Sequence, residues 1–101
     1  MDNKRPRELP VPEAATADQH SREMLRAWVI DNGLHCSLDV GGAGENEAIL
    51  WGILLSDVAR HVADAVQETE GTPSEDTLRM IRAHFNAELD SPTEDTKGRF
   101  V

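Results

Sequence analysis

The sequence predicts an α+β domain: a β-hairpin packed on two antiparallel helices, in the order β-β-α-α. Three observations carry this reading. Asn32-Gly33 lies between two runs of alternating apolar residues, and a two-residue type I′ turn needs positive φ at both central positions, which Asn-Gly adopts at low cost. Residues 47–69 carry apolar side chains at helical spacing. Gly71-Thr72-Pro73 then punctuates the chain before a second helical stretch.

The hairpin spans Leu25 to Val40. A turn at Asn32-Gly33 sets Val29 opposite Cys36, Ala27 opposite Leu38 and Leu25 opposite Val40. It also sets Arg26 opposite Asp39, Trp28 opposite Ser37 and Ile30 opposite His35. One face is then wholly apolar: Leu25, Ala27, Val29, Leu34, Cys36, Leu38 and Val40. The other carries a cross-strand ion pair and a patch of Trp28, Ile30 and His35. A one-residue slip would exchange the two faces, so the pattern specifies the pairing strongly.

The glycines of Gly41-Gly42-Ala43-Gly44 end the second strand and reverse the chain. A helix from Glu47 to Thr69 follows, with Trp51, Leu55, Val58, Val62, Ala65 and Val66 as its stripe and Leu54 and His61 at the margins. Asp57, Arg60, Asp64 and Gln67-Glu68 form its wet side. In the first half, Ile49, Leu50, Trp51, Ile53, Leu54 and Leu55 nearly encircle the helix, more apolar surface than one hairpin covers. Gly71 stops this helix at the C′ position. Thr72 as N-cap, Pro73 at N1 and Glu75 at N3 make a capping box for the next. Leu78, Ile81, Phe85 and Leu89 form its stripe, with Met80 and Ala87 beside it. Glu75 precedes Arg79 by four residues, a stabilising spacing, and Ser91-Pro92 ends the helix. The simplest packing lays the long helix across the apolar hairpin face and returns the second helix antiparallel to the first.

Residues 1–20, with Pro6, Pro10 and Pro12, read as a flexible arm, 21–90 as the single domain and 91–101 as a flexible tail. The whole chain has 101 residues, 39% of them apolar and 4% aromatic, so the core is small, and units of this size often gain stability by oligomerising. Its formal charge is −9. Thirteen acidic and five basic residues in 21–90 leave −8 on the domain itself, which opposes nucleic acid and anionic membrane as partners. Cys36 is the single cysteine, so no internal disulfide forms, and this suits a reducing cytoplasm. The sequence shows no signal peptide and no eighteen-residue apolar run to span a membrane.

Composition and order point to a small acidic cytoplasmic protein that acts through protein contacts and self-associates as a homodimer. A lone two-stranded sheet is marginal in water, and both its edges offer unpaired backbone groups. The interaction surface is expected at Trp28, Ile30 and His35 on the sheet and Ile49 and Ile53 on the helix. An alternative of another class, a small-ligand binder or enzyme, would use Asp57, Arg60 and His61: a carboxylate four residues before an imidazole on one helix can orient it. The same spacing is common on a solvated helix face. Cys36 and His35 are adjacent in a strand and point to opposite faces, so they do not pair as nucleophile and base. The four histidines and one cysteine show none of the close spacings of a zinc site. Gly42-Ala43-Gly44 lacks the third glycine of a dinucleotide loop, and Glu45 and Glu47 would repel phosphate there. No cofactor, metal or catalytic residue is expected.

Leu25-Arg26-Ala27-Trp28, Gly33-Leu34-His35-Cys36-Ser37-Leu38, Trp51-Gly52-Ile53-Leu54-Leu55 and Ala59-Arg60-His61-Val62-Ala63 together resemble a family of small bacterial proteins catalogued as domain of unknown function 5076. The resemblance covers roughly residues 8–70, and the last two segments, following the Gly-Leu-His strand, are its specific part. It implies a bacterial cytoplasmic protein and supplies no catalytic residues.

Overall fold

The structure, a computed structural model, describes residues 6–93 and 97–100. An extended stretch leads into a five-residue helix α1 (Glu13–Ala17). Ser21 Oγ then donates to the carbonyls of Ala15 and Asp18 (2.6 and 2.8 Å) and folds the chain toward the sheet. Strands β1 (Leu25–Ile30) and β2 (Gly33–Leu38) form the antiparallel hairpin. Two long helices follow, α2 (Glu47–Glu70) and α3 (Ser74–Asp90). The α+β class and the β-β-α-α order are those expected.

The turn, however, falls one residue earlier than Asn32-Gly33. Asp31 and Asn32 hold φ of 51° and 67°, a region both residues tolerate through local side-chain hydrogen bonding, and Gly33 becomes the first, buried residue of β2. The pairs are Leu25 with Leu38, Ala27 with Cys36 and Val29 with Leu34 on one face, and Arg26 with Ser37, Trp28 with His35 and Ile30 with Gly33 on the other. Moving the turn by one position moves each partner by two, so the apolar face keeps its members. The expected Arg26–Asp39 pair is lost with the register. Arg26 instead binds Glu8 and Glu23, each at 3.0 Å, and Asp39 meets Arg22 at 3.7 Å. A strand absent from the sequence reading, β3 (Lys97–Phe100), runs parallel beside β2 and extends the sheet to the order β1-β2-β3.

Gly71 closes α2 with φ 82° and an N–H bond of 2.9 Å to the Gln67 carbonyl, the left-handed ending that glycine adopts without Cβ strain. The capping box does not form. The helix begins after Pro73, with no side-chain cap. Its first N–H, that of Ser74, is satisfied by Gln67 Oε1 (2.8 Å), and Ser74 Oγ bonds Gln67 and Asp64 of α2. The last turn of α2 thus caps α3 from the side and fixes the two helices antiparallel. Arg79 pairs with Asp76 (3.2 Å) rather than Glu75.

Ala63, 1% exposed on the α2–α3 contact, is the one buried apolar side chain among the described residues. No Cα of either helix lies within 8 Å of a Cα in the strands. The apolar hairpin face is half-buried at its base and open at its turn end, where Val29 is 78% and Leu34 42% exposed. The expectation that α2 covers this whole face therefore fails within one chain. The radius of gyration is 15.9 Å, against about 12.7 Å for a compact chain of this length. The surface of 8871 Å² exceeds by about 3,200 Å² that of a compact monomer of this mass.

Candidate functional site

The described surface offers a groove, a cleft and two apolar faces. The groove lies between α2 and α3 and holds about 290 Å³. Small residues on one side of α2 create it: Gly52, Ser56, Ala59 and Ala63 recur at helical spacing. At the Ala63 end, α3 packs closely. Toward Gly52 the helices leave space, and a Cβ built there would meet nothing within 4 Å. Leu78, Ile81 and Phe85 wall the groove from α3, and Arg60 and Arg82 line it from the two helices. Neither guanidinium has an ion-pair partner among the described residues.

The cleft of about 530 Å³ runs between residues 7–12 and the outer side of β1. Glu8 anchors one wall of it through Arg26, and Leu25, Ala27 and Trp28 contribute to the other. Leu9 and Val11 are nonetheless exposed, so the extended segment lies beside the sheet without closing over it.

Glu47 holds the joint between hairpin and helix. Its carboxylate accepts the Ala43 N–H (3.0 Å) and the Trp51 Nε1–H (2.8 Å). The Ala43 amide, the Trp51 indole and the Gly41 amide, with a lesser contribution from the Arg22 charge, hold its pKa below the ordinary glutamate value of 4.5, against the opposing effect of burial. A single carboxylate therefore ties the loop to the first turns of α2 and fixes the Trp51 ring. The sequence reading takes Glu47 as the first residue of the helix and as hostile to phosphate, not as a tie to the loop; its spacing of four to Trp51 is the available signal.

The predicted surface residues divide into two groups. Trp28 and His35 are cross-strand partners, both half-buried, and Ile30 lies next to them, exposed at the strand end. Ile49 and Ile53 stand one turn apart on the opening of α2, both exposed, with no strand Cα within 8 Å of that helix. The structure joins the first three and separates them from the last two. Of the alternative set, Arg60 lines the groove and Asp57 and His61 do not. All three are exposed, and no hydrogen bond joins Asp57 to His61 among the described residues. Among those residues no group of three or more His, Cys, Asp or Glu is placed to hold a metal ion, and no helix is long and apolar enough to cross a membrane. The groove escaped the sequence reading, although the small-residue column facing Leu78, Ile81 and Phe85 was legible in it.

The family model described as Domain of unknown function (DUF5076) matches residues 8–93. The chain belongs to the DUF5076 family. The match begins at Glu8, the arm residue that binds Arg26, and ends at Thr93, the residue that closes α3 through Glu88 (2.6 and 2.8 Å), so it takes in the extended segment as well as the hairpin and both helices. Among solved structures, this DUF5076 chain is similar to one from the photosynthetic bacterium Rhodopseudomonas palustrus CGA009, described as a putative pyruvate dehydrogenase. The two are 32% identical, with 92% of this chain and 93% of that one covered and a TM-score of 0.69. No curated protein matches.

Proposed function

We propose that this chain is a self-associating interaction or accessory module of the cytoplasm, a homodimer rather than an enzyme. One observation carries the reading: a chain of 101 residues buries a single apolar side chain, Ala63, among the described residues. A hydrophobic core is the main favourable term in folding, and a monomer this open forgoes most of it. The uncovered faces are those an association would close. The lone Cys36 fits a reducing compartment.

The enzyme and ligand-binding readings have less behind them. Catalytic groups work with pKa values shifted by burial and neighbouring charges, and among the described residues no polar or charged side chain is buried. The pyruvate dehydrogenase description belongs to the R. palustrus protein, and the cluster of Asp57, Arg60 and His61 is exposed along a helix surface. Light scattering coupled to size exclusion tests the proposal: a species of about 22 kDa, twice the 11.1 kDa chain, is expected, and a lone 11.1 kDa species at high micromolar concentration overturns it. Trp28→Ala and Ile53→Glu test whether the contact runs through the Trp28 face of the hairpin and the opening of α2. If both leave the oligomeric state and partner binding unchanged, the contact lies elsewhere.

A further inference from the structure

We propose that the apolar face of the hairpin seats on the α2 stripe of a second copy, and reciprocally, around a two-fold axis; this deepens and rests on the self-association reading. The excess surface of about 3,200 Å² over a compact monomer sets the scale. The extended residues 6–12 account for part of it, and an obligate dimer interface takes roughly 1,000–2,500 Å² from each subunit. Two partly open surfaces of matching kind remain, half-buried at Leu25, Cys36, Leu38, Val40, Trp51 and Leu54 and exposed at the rest of the named apolar side chains. One is the hairpin face of Leu25, Ala27, Val29, Leu34, Cys36, Leu38 and Val40. The other is the stripe Trp51, Leu54, Val58 and Val62, on the side of α2 away from the Gly52–Ala63 column that α3 occupies. Val58 and Val62 are 43% and 44% exposed.

Their dimensions agree. A six-residue strand is about 20 Å long, and the rise from Trp51 to Val62 is about 17 Å. Their charge agrees as well. Two copies that each carry −9 repel at long range, and the named side chains of the two surfaces are uncharged, with the Glu47 carboxylate bonded to Trp51 at one end of the stripe.

The joint between the two surfaces argues for a partner in trans. It is pinned rather than free: Glu47 holds Ala43 and Trp51, and Asn46 N–H bonds the Ala43 carbonyl (3.1 Å). Closing α2 onto its own hairpin would have to reshape this loop, whereas docking on a second copy leaves it as it stands. Stacking hairpin on hairpin would leave Val58 and Val62 in water, whereas one two-fold operation that lays hairpin on stripe closes both surfaces at once.

Cys36, the only thiol of the chain and a member of the hairpin face, supplies the probe. Full-length Val58→Cys and the wild type are treated with a short bismaleimide, run on denaturing gels and mapped by mass spectrometry. The expected result is a covalent dimer of Val58→Cys, linked between Cys36 of one chain and position 58 of the other, absent from the wild type and lost when Cys36→Ser is added. Val62→Cys gives the same readout should Val58→Cys fail to fold. A wild-type dimer linked through Cys36 on both chains overturns the geometry in favour of stacked hairpins. A link from Cys36 to position 58 within one chain overturns it in favour of closure in cis. No link at all, in a sample that light scattering shows to be dimeric, overturns the geometry and leaves self-association standing. A monomer by light scattering overturns both.

Discussion

Replacing Val29 by threonine separates folding from association. Val29 is 78% exposed in the single chain and directly opposite Leu34. Threonine keeps the β-branch and the volume, so strand preference barely changes, and the isolated hairpin should shift by no more than about 0.5 kcal/mol. In a dimer that buries this face the arithmetic differs. The lost methyl is worth about 0.8 kcal/mol, and withdrawing an unpartnered hydroxyl from water costs at least about 1 kcal/mol. Roughly 2 kcal/mol per site, at two sites in a two-fold dimer, weakens association by about 4 kcal/mol, near a thousandfold in Kd. Sedimentation equilibrium over a concentration series measures this, with Val29→Ile as the control that preserves apolar area. An unchanged Kd for Val29→Thr, in a protein whose far-ultraviolet circular dichroism matches the wild type, refutes the claim that this face is buried on association.

Four further outcomes follow from single features. Glu47 and Glu88 both have lowered pKa values in the folded chain, Glu47 chiefly through the Ala43 amide and Glu88 chiefly through the Thr93 hydroxyl. The unfolded chain therefore binds protons first as pH falls below about 4.5, and the stability these groups give is present above that value and lost as pH drops through their folded pKa values. Thermal melts of Glu47→Gln should show a flatter acid limb than the wild type; identical limbs refute it. Gly71→Ala forces a Cβ into φ 82° with no steric contact to blame, so chemical denaturation should show a loss of about 1–2 kcal/mol, and a neutral variant would contradict the left-handed ending. Ala63→Leu overfills the α2–α3 contact and should lower stability by about 1–3 kcal/mol in the same assay; no loss means that the contact is loose. Asn32→Ala should destabilise by about 1 kcal/mol and Asn32→Gly should not, because the turn holds this position at φ 67°; equal effects would place the turn elsewhere.

Much of the fold was readable because periodicity depends on local geometry. The stripe from Trp51 to Val66 and the punctuation at Gly71 gave α2 to within one residue, Thr69 against Glu70. Alternation along Leu25–Leu38 gave the correct faces of the hairpin even though the turn was displaced, since a choice between Asp31-Asn32 and Asn32-Gly33 changes partners without changing sides. The start of α3 was not readable. Thr72-Pro73-Ser74-Glu75 has the form of a capping box, but Gln67 and Asp64, from the preceding helix, take over the capping, and only the tight reversal at Gly71 brings them there. The strand Lys97–Phe100 was hidden for a similar reason: its pairing with β2 is a long-range backbone match with no periodic signal. Of the proposed surface, Trp28, Ile30 and His35 were correctly grouped by strand alternation. Ile49 and Ile53 are separated from them because no Cα of α2 comes within 8 Å of the strands, a long-range placement that no spacing in the sequence reports.

The bend at Asp31 and Asn32 also bears on how such a ribbon can change over time. A substitution that shifts the bend by one position gives every rung a new neighbour, yet the oily side stays oily and the wet side wet. Tip chemistry and face composition can thus drift as nearly independent variables. Relatives that differ at the tip can keep the same sticking surface while rewiring every pair across the ladder.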